Sequence, residues 1–132
     1  MVKIPARVLD LISRPESSKI LCSVDSEGQP HSIVCGSVFA IDEETLAAGE
    51  VLMKRTKANM AGNKKVAIMV VSGKDAYNID CVVDSRLDSG PVLDGLNVKL
   101  DKMNLKAHAV WTFKASAVYD QGANPNAGKR IA

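Results

Sequence analysis

The hexapeptide Lys54-Arg55-Thr56-Lys57-Ala58-Asn59 gathers three cations, a hydroxyl and an amide between two apolar runs. If a helix begins at Thr56 or its neighbour, Arg55 and Asn59 stand four apart and Thr56 and Asn59 three apart, so their side chains can converge on one anion. The helix start adds unpaired backbone N–H groups and the positive end of its dipole. Arg55 can fork onto two phosphate oxygens, and the Thr56 hydroxyl can donate. The Asn59 amide can donate to phosphate or to a ribose or ribityl hydroxyl. Lys54 and Lys57 raise the local potential or face water. A phosphate-bearing small molecule is the ligand class these types suit. A solvated basic helix start, merely capped by Thr56, is the alternative that local sequence leaves open.

The flanking elements must hold this turn in place. Thr45–Glu50 reads as a short strand before it, and Val66–Val71, apolar on both faces, reads as a strand covered on both sides after it. Met60-Ala61-Gly62-Asn63 ends the helix, with Gly62 as the stop. Upstream, His31–Ile41 reads as one long uncharged strand. Gly36 in its middle marks a bulge or the close approach of a ligand to backbone.

The remaining pattern is mostly strand. Residues Pro5–Ser13 predict an opening helix with Val8, Leu9 and Ile12 on one stripe. Lys19–Asp25 alternates and joins the next strand through the turn Asp25-Ser26-Glu27-Gly28. Tyr77, Ile79, Cys81 and Val83 alternate with polar residues, Pro91–Met103 predicts a helix, and Ala107–Tyr119 predicts a long last strand. About six strands without regular strand–helix alternation point to a small closed antiparallel barrel, because closure removes exposed edges. Residues 1–119 form the expected domain. The tail 120–132 has no period and is read as disordered or held by a partner.

Composition bounds the function. A chain of 132 residues with 46% hydrophobic and 24% charged residues suits one self-sufficient domain. A net charge of +2 and 4% aromatic content argue against a nucleic-acid groove. No run approaches the roughly 18 apolar residues that span a bilayer, and no secretory pattern opens the chain, so a cytoplasmic home is expected. Cys22, Cys35 and Cys81 sit in apolar strand-like runs and suit small buried hydrophobes in a reducing compartment.

The order and spacing of "LCSVDSEGQPHSIV", "GSVFAIDEETLAAGE" and "KRTKANMAGNKKVAIMVV", followed by a fifth strand, a helical insert and a long last strand, resemble one family along nearly the whole chain. These segments are similar to the pyridoxamine 5'-phosphate oxidase-like FMN-binding split barrels, especially their small single-domain members. The resemblance implies a mainly β fold, a six-stranded antiparallel Greek-key split β-barrel with short flanking helices. It also implies a homodimer with FMN in a groove at the subunit interface. Arg55 then matches the basic phosphate ligand, Thr56 the hydroxyl ligand and Asn59 the amide ligand. Val34, Cys35, Gly36 and Ser37 match the strand whose backbone runs beside the isoalloxazine ring. The additional arginine and histidine contacts of the oxidase proper have no match here, which argues against vitamin B6 oxidation.

The implied function is an FMN-dependent oxidoreductase or flavin reductase-like electron carrier, with NAD(P)H or a protein as electron donor and with the catalytic residues unassigned. The alternatives are a non-catalytic flavin-binding or storage module, a deazaflavin in place of FMN, and a small barrel that binds nucleic acid or protein through its basic turn. Other chemistry is poorly supported. His31 and Cys35 share a strand face about 13 Å apart, as do Asp80 and Asp84, too far for one metal ion or one carboxylate pair. Trp111, Phe113 and Tyr119 fall at strand period and read as core or dimer contacts.

Overall fold

A computed structural model describes residues 1–132. In chain order the elements are α1 (Ala6–Ser13), β1 (Ser18–Val24), β2 (Pro30–Val34), β3 (Phe39–Asp42), β4 (Thr45–Gly49), α2 (Lys54–Gly62), β5 (Lys65–Ser72), β6 (Asp75–Leu87), α3 (Pro91–Asp101) and β7 (Val110–Asp120). The strands form one antiparallel sheet in the order β2-β1-β5-β6-β7-β4-β3.

The expected six strands are seven, and the sheet is not closed. The predicted strand His31–Ile41 breaks after Val34. Cys35 N–H still donates to the Lys19 carbonyl at 2.8 Å, but Val38 N–H turns back onto the Cys35 carbonyl at 3.3 Å. Gly36 therefore lies in a turn between two strands and not at a mid-strand bulge. Its uncharged, strand-like neighbours conceal the break, since nothing in a period-two pattern marks where the ladder partner changes.

That break shapes the sheet. β2 and β3 are its two edges, which in a flat sheet of this size would stand about 29 Å apart. The five Cα steps from Val34 to Phe39 span at most about 18 Å. The sheet must curl until its edges approach, with no ladder between them. This is a split barrel.

The inward faces fill the curl. Leu21, Leu46, Ile68, Ile79 and Phe113 have no exposed surface, and Val8, Leu11 and Ile12 of α1 plug one side. Leu11 replaces the expected Leu9, which is only half-buried. β5 is less enclosed than its composition suggests: Val66, Ile68 and Val70 are buried, whereas Ala67, Met69 and Val71 are half-buried. A second, smaller core lies outside the sheet, where Leu93, Leu96 and Leu100 of α3 pack on Ala47, Ala107 and Val110. β4 is consequently buried on both faces. Small residues suit its outer side: a Cβ on Gly49 would come within 2.7 Å of Leu96 Cδ2.

Residues 121–132 are irregular but pinned by their own chain. Ile131 N–H donates to the Val118 carbonyl at 2.8 Å, Val118 N–H to the Ala132 carbonyl at 3.0 Å, and Asp120 N–H to the Lys129 carbonyl at 2.9 Å. Main-chain bonds leave no side-chain period, so the tail carries no strand signal. No helix is long and apolar enough to cross a membrane.

Candidate functional site

The basic turn opens α2 at Lys54, two residues before Thr56, with Met53 as the residue before the helix. Met53 provides no side-chain cap, and the first turn contains no acidic residue. Lys54, Arg55 and Lys57 instead place positive charge at the positive end of the helix dipole, an unfavourable arrangement unless an anion is near. Arg55 is exposed and makes no hydrogen bond or ion pair within the chain.

Thr56 points the other way. It has no exposed surface, and its Oγ1 has no hydrogen-bond partner. Burying an unpaired hydroxyl costs about 1–3 kcal/mol, so this group is the best local sign of an absent acceptor. Asn59, one turn on, is half-buried and donates from Nδ2 to Ser23 Oγ at 3.0 Å. Arg55 and Thr56 thus bracket the helix start from outside and inside, while the Asn59 amide ties α2 to β1.

A cavity of about 340 Å³ ends at Met53, just before this helix, and Arg55, Thr56 and Asn59 do not line it. Its walls include Val34, Cys35, Gly36 and Ser37 on one side and Met53, the residue preceding α2, on another; most of its lining is hydrophobic. Val34 is 79% exposed and Leu52 85%, which leaves an apolar rim uncovered. Cys35 N–H is committed to Lys19, but the Gly36 N–H has no acceptor in the chain. Ser37 Oγ accepts from Gly49 N–H at 2.9 Å and lies 3.4 Å from Cys35 Sγ, which fixes the turn against the end of β4. Burial pushes the Cys35 thiol up, against the opposing effects of Ser37 and the Lys19 charge. The thiol stays protonated and is a poor nucleophile.

Sequence reasoning missed the strongest electrostatic feature. Glu50, 5% exposed at the end of β4, accepts a two-pronged contact from Arg86 at 2.9 and 2.9 Å and a 2.8 Å bond from Trp111 Nε1. Lys57 Nζ lies 3.5 Å away. The Arg86 fork, with the indole bond and the cation charges, holds the Glu50 carboxyl down at about 2 despite burial. Lys57 is therefore partly neutralised by the barrel, leaving Lys54 and Arg55 as the unpaired cations of the first turn. The available signal was one glutamate closing an otherwise uncharged strand directly before a basic turn. His31 is half-buried and His108 exposed, and neither makes an ion pair.

An open, curled antiparallel sheet with a helix start and an apolar cavity at its split defines a split barrel in outline. The chain has the split-barrel fold of the pyridoxamine 5'-phosphate oxidase-like proteins. HupZ of Group A Streptococcus is 20% identical, with 95% of this chain and 99% of that chain covered and a TM-score of 0.79. An FMN-binding protein from Syntrophomonas wolfei is 20% identical over 89% of each chain with a TM-score of 0.80. A candidate pyridoxamine 5'-phosphate oxidase from Lactobacillus delbrueckii is 18% identical, covering 89% and 93% of the two chains, with a TM-score of 0.72. The same fold also serves an F420 reductase and HutZ, the heme storage protein of Vibrio cholerae, so the fold does not by itself choose the bound group. No protein-family model and no curated protein matches the sequence.

Proposed function

We propose that this protein binds FMN and works as an FMN-dependent oxidoreductase or flavin reductase-like electron carrier. The observation that carries this reading is the orphaned Thr56 hydroxyl at an uncapped, acid-free helix start that adjoins an apolar cavity. The residues present fit the group. Arg55 and the first N–H groups of α2 would hold the phosphate, with the Thr56 hydroxyl on the inner side of the same helix start. Val34–Ser37 would wall the ring, with the free Gly36 N–H as a donor toward it. Asn59 braces the helix through Ser23, and its remaining polar capacity can serve the ribityl chain. The flavin, when bound, supplies the redox chemistry; the protein positions it, tunes its charge and limits access.

The exposed Val34 and Leu52, with Met103 at 61% and Leu105 at 39% exposure, rim the same cavity. An apolar rim of this kind suits a second copy of the chain closing over the flavin, in a homodimer that accepts electrons from NAD(P)H or a protein donor. Three unbridged cysteines favour a reducing, cytoplasmic setting.

The test is the visible spectrum and elution volume of the protein after incubation with FMN and gel filtration. Flavin absorbance on a dimer-sized species supports the reading, and an Arg55→Ala variant should lose about 2–5 kcal/mol of FMN affinity. A folded protein that stays colourless sinks it. Deazaflavin in place of FMN shows as a different spectrum, and a storage module as bound FMN that NAD(P)H does not reduce.

A further inference from the structure

Lys19 occupies a position where an apolar residue would pack without penalty. It lies on β1, on the same inward face as Leu21 and Ser23, and is only 8% exposed. No carboxylate pairs with it, and its side chain has no hydrogen-bond acceptor in the chain. Most of its side chain is packed away while the unpaired ammonium keeps contact with solvent, so an anion can reach it and form a charge-assisted contact.

Lys19 lines a groove of about 760 Å³. α1 contributes Leu9 and Ile12, β3 contributes Phe39, and α3 contributes Leu96 together with a second cation, Lys99. No aspartate or glutamate lines it. The volume lies within the range of small-molecule sites, which combine an apolar lining with few polar groups. We propose that this groove is a second binding site, for a small amphipathic organic anion whose charged head pairs with Lys19 and Lys99 and whose apolar body lies between α1 and α3.

The groove and the smaller cavity share Gly36, Ser37, Leu100 and Met103. They therefore adjoin at the turn that splits the barrel. If FMN fills the smaller cavity, the anion lies beside it at Gly36–Ser37. Only that last placement rests on the proposed function; the anion site itself stands without it.

Octanoate, octyl phosphate and octanol share an apolar body and differ in the head group. Titrated calorimetrically into the full chain without flavin, at least one anion should bind ten-fold or more tightly than octanol, and the stronger of the two identifies carboxylate or phosphate. Lys19→Met should remove that preference and leave octanol binding unchanged. Equal binding of octanol and both anions, or full anion affinity in a folded Lys19→Met variant, overturns the proposal. Should Lys19→Met fail to fold, Gly95→Leu decides: Gly95 lines the groove and a Cβ there meets no atom within 4 Å. A ten-fold loss of anion affinity in that variant supports the site, and unchanged affinity overturns it. FMN affinity measured on the same variants keeps the two readings apart, since an empty flavin site with intact anion preference refutes only the flavin.

Discussion

Glu50 and Arg86, 36 residues apart in the chain, meet as a two-pronged ion pair with Nε and Nη2 each 2.9 Å from a carboxylate oxygen. The pair joins the end of β4 to β6, and Trp111 Nε1 adds β7 while the Arg86 guanidinium lies 6.0 Å from the indole centroid. Lys57 brings in α2. One carboxylate thereby connects three strands of the barrel to the helix that opens at the basic turn.

The depressed Glu50 value ties stability to pH. A carboxyl at about 2 in the fold against 4.5 as its ordinary value contributes up to about 3 kcal/mol. That contribution is present above about pH 5 and lost as pH falls through 2. Urea melts of the protein and of Glu50→Gln should therefore differ most near neutrality and converge in acid. Arg86→Met, which leaves the carboxylate buried with less compensation, should cost about 3–5 kcal/mol at pH 7. A stability gap that does not narrow in acid would show that the ion pair is energetically silent.

Thr56→Val preserves shape and removes an unpaired buried hydroxyl. Without flavin the variant should be as stable as the parent or more so, by about 1 kcal/mol, while FMN affinity falls about ten-fold, or about 1.4 kcal/mol. Denaturation and flavin-fluorescence titration read the two effects separately. A variant that loses stability yet binds FMN normally would assign the hydroxyl to the fold.

Gly49→Ala places a methyl 2.7 Å from Leu96 Cδ2 and 3.3 Å from both Ala107 Cβ and Ser37 Oγ. Overpacking of this kind costs about 1–3 kcal/mol. Denaturant midpoints should show that cost, and the penalty should shrink in a Leu96→Ala background because the main obstruction is gone. Equal penalties in both backgrounds would place the strain elsewhere.

Much of the barrel is legible in local pattern because a core-facing strand alternates and a capped turn has its own chemistry. Asp25 Oδ1 accepts from Glu27 and Gln29 N–H, both at 2.9 Å, and Gly28 takes a positive φ of 82°, as the predicted turn requires. The helix that starts beside Thr56 and stops at Gly62 is legible from its terminal glycine, although its start has no side-chain cap. The break at Cys35–Val38 is not, since both strands it separates are uncharged and the change of partner is a property of the sheet.

Residue types alone determined that one basic, hydroxyl-bearing turn stands between two core strands, and that the chain is mainly antiparallel β. Tertiary structure decided which of those groups are free. It occupied the Asn59 amide with Ser23, balanced Lys57 against Glu50, and buried the Thr56 hydroxyl without a partner. Sequence spacing constrains neighbours a few residues apart, whereas pairing and burial depend on groups brought together across the barrel from distant parts of the chain.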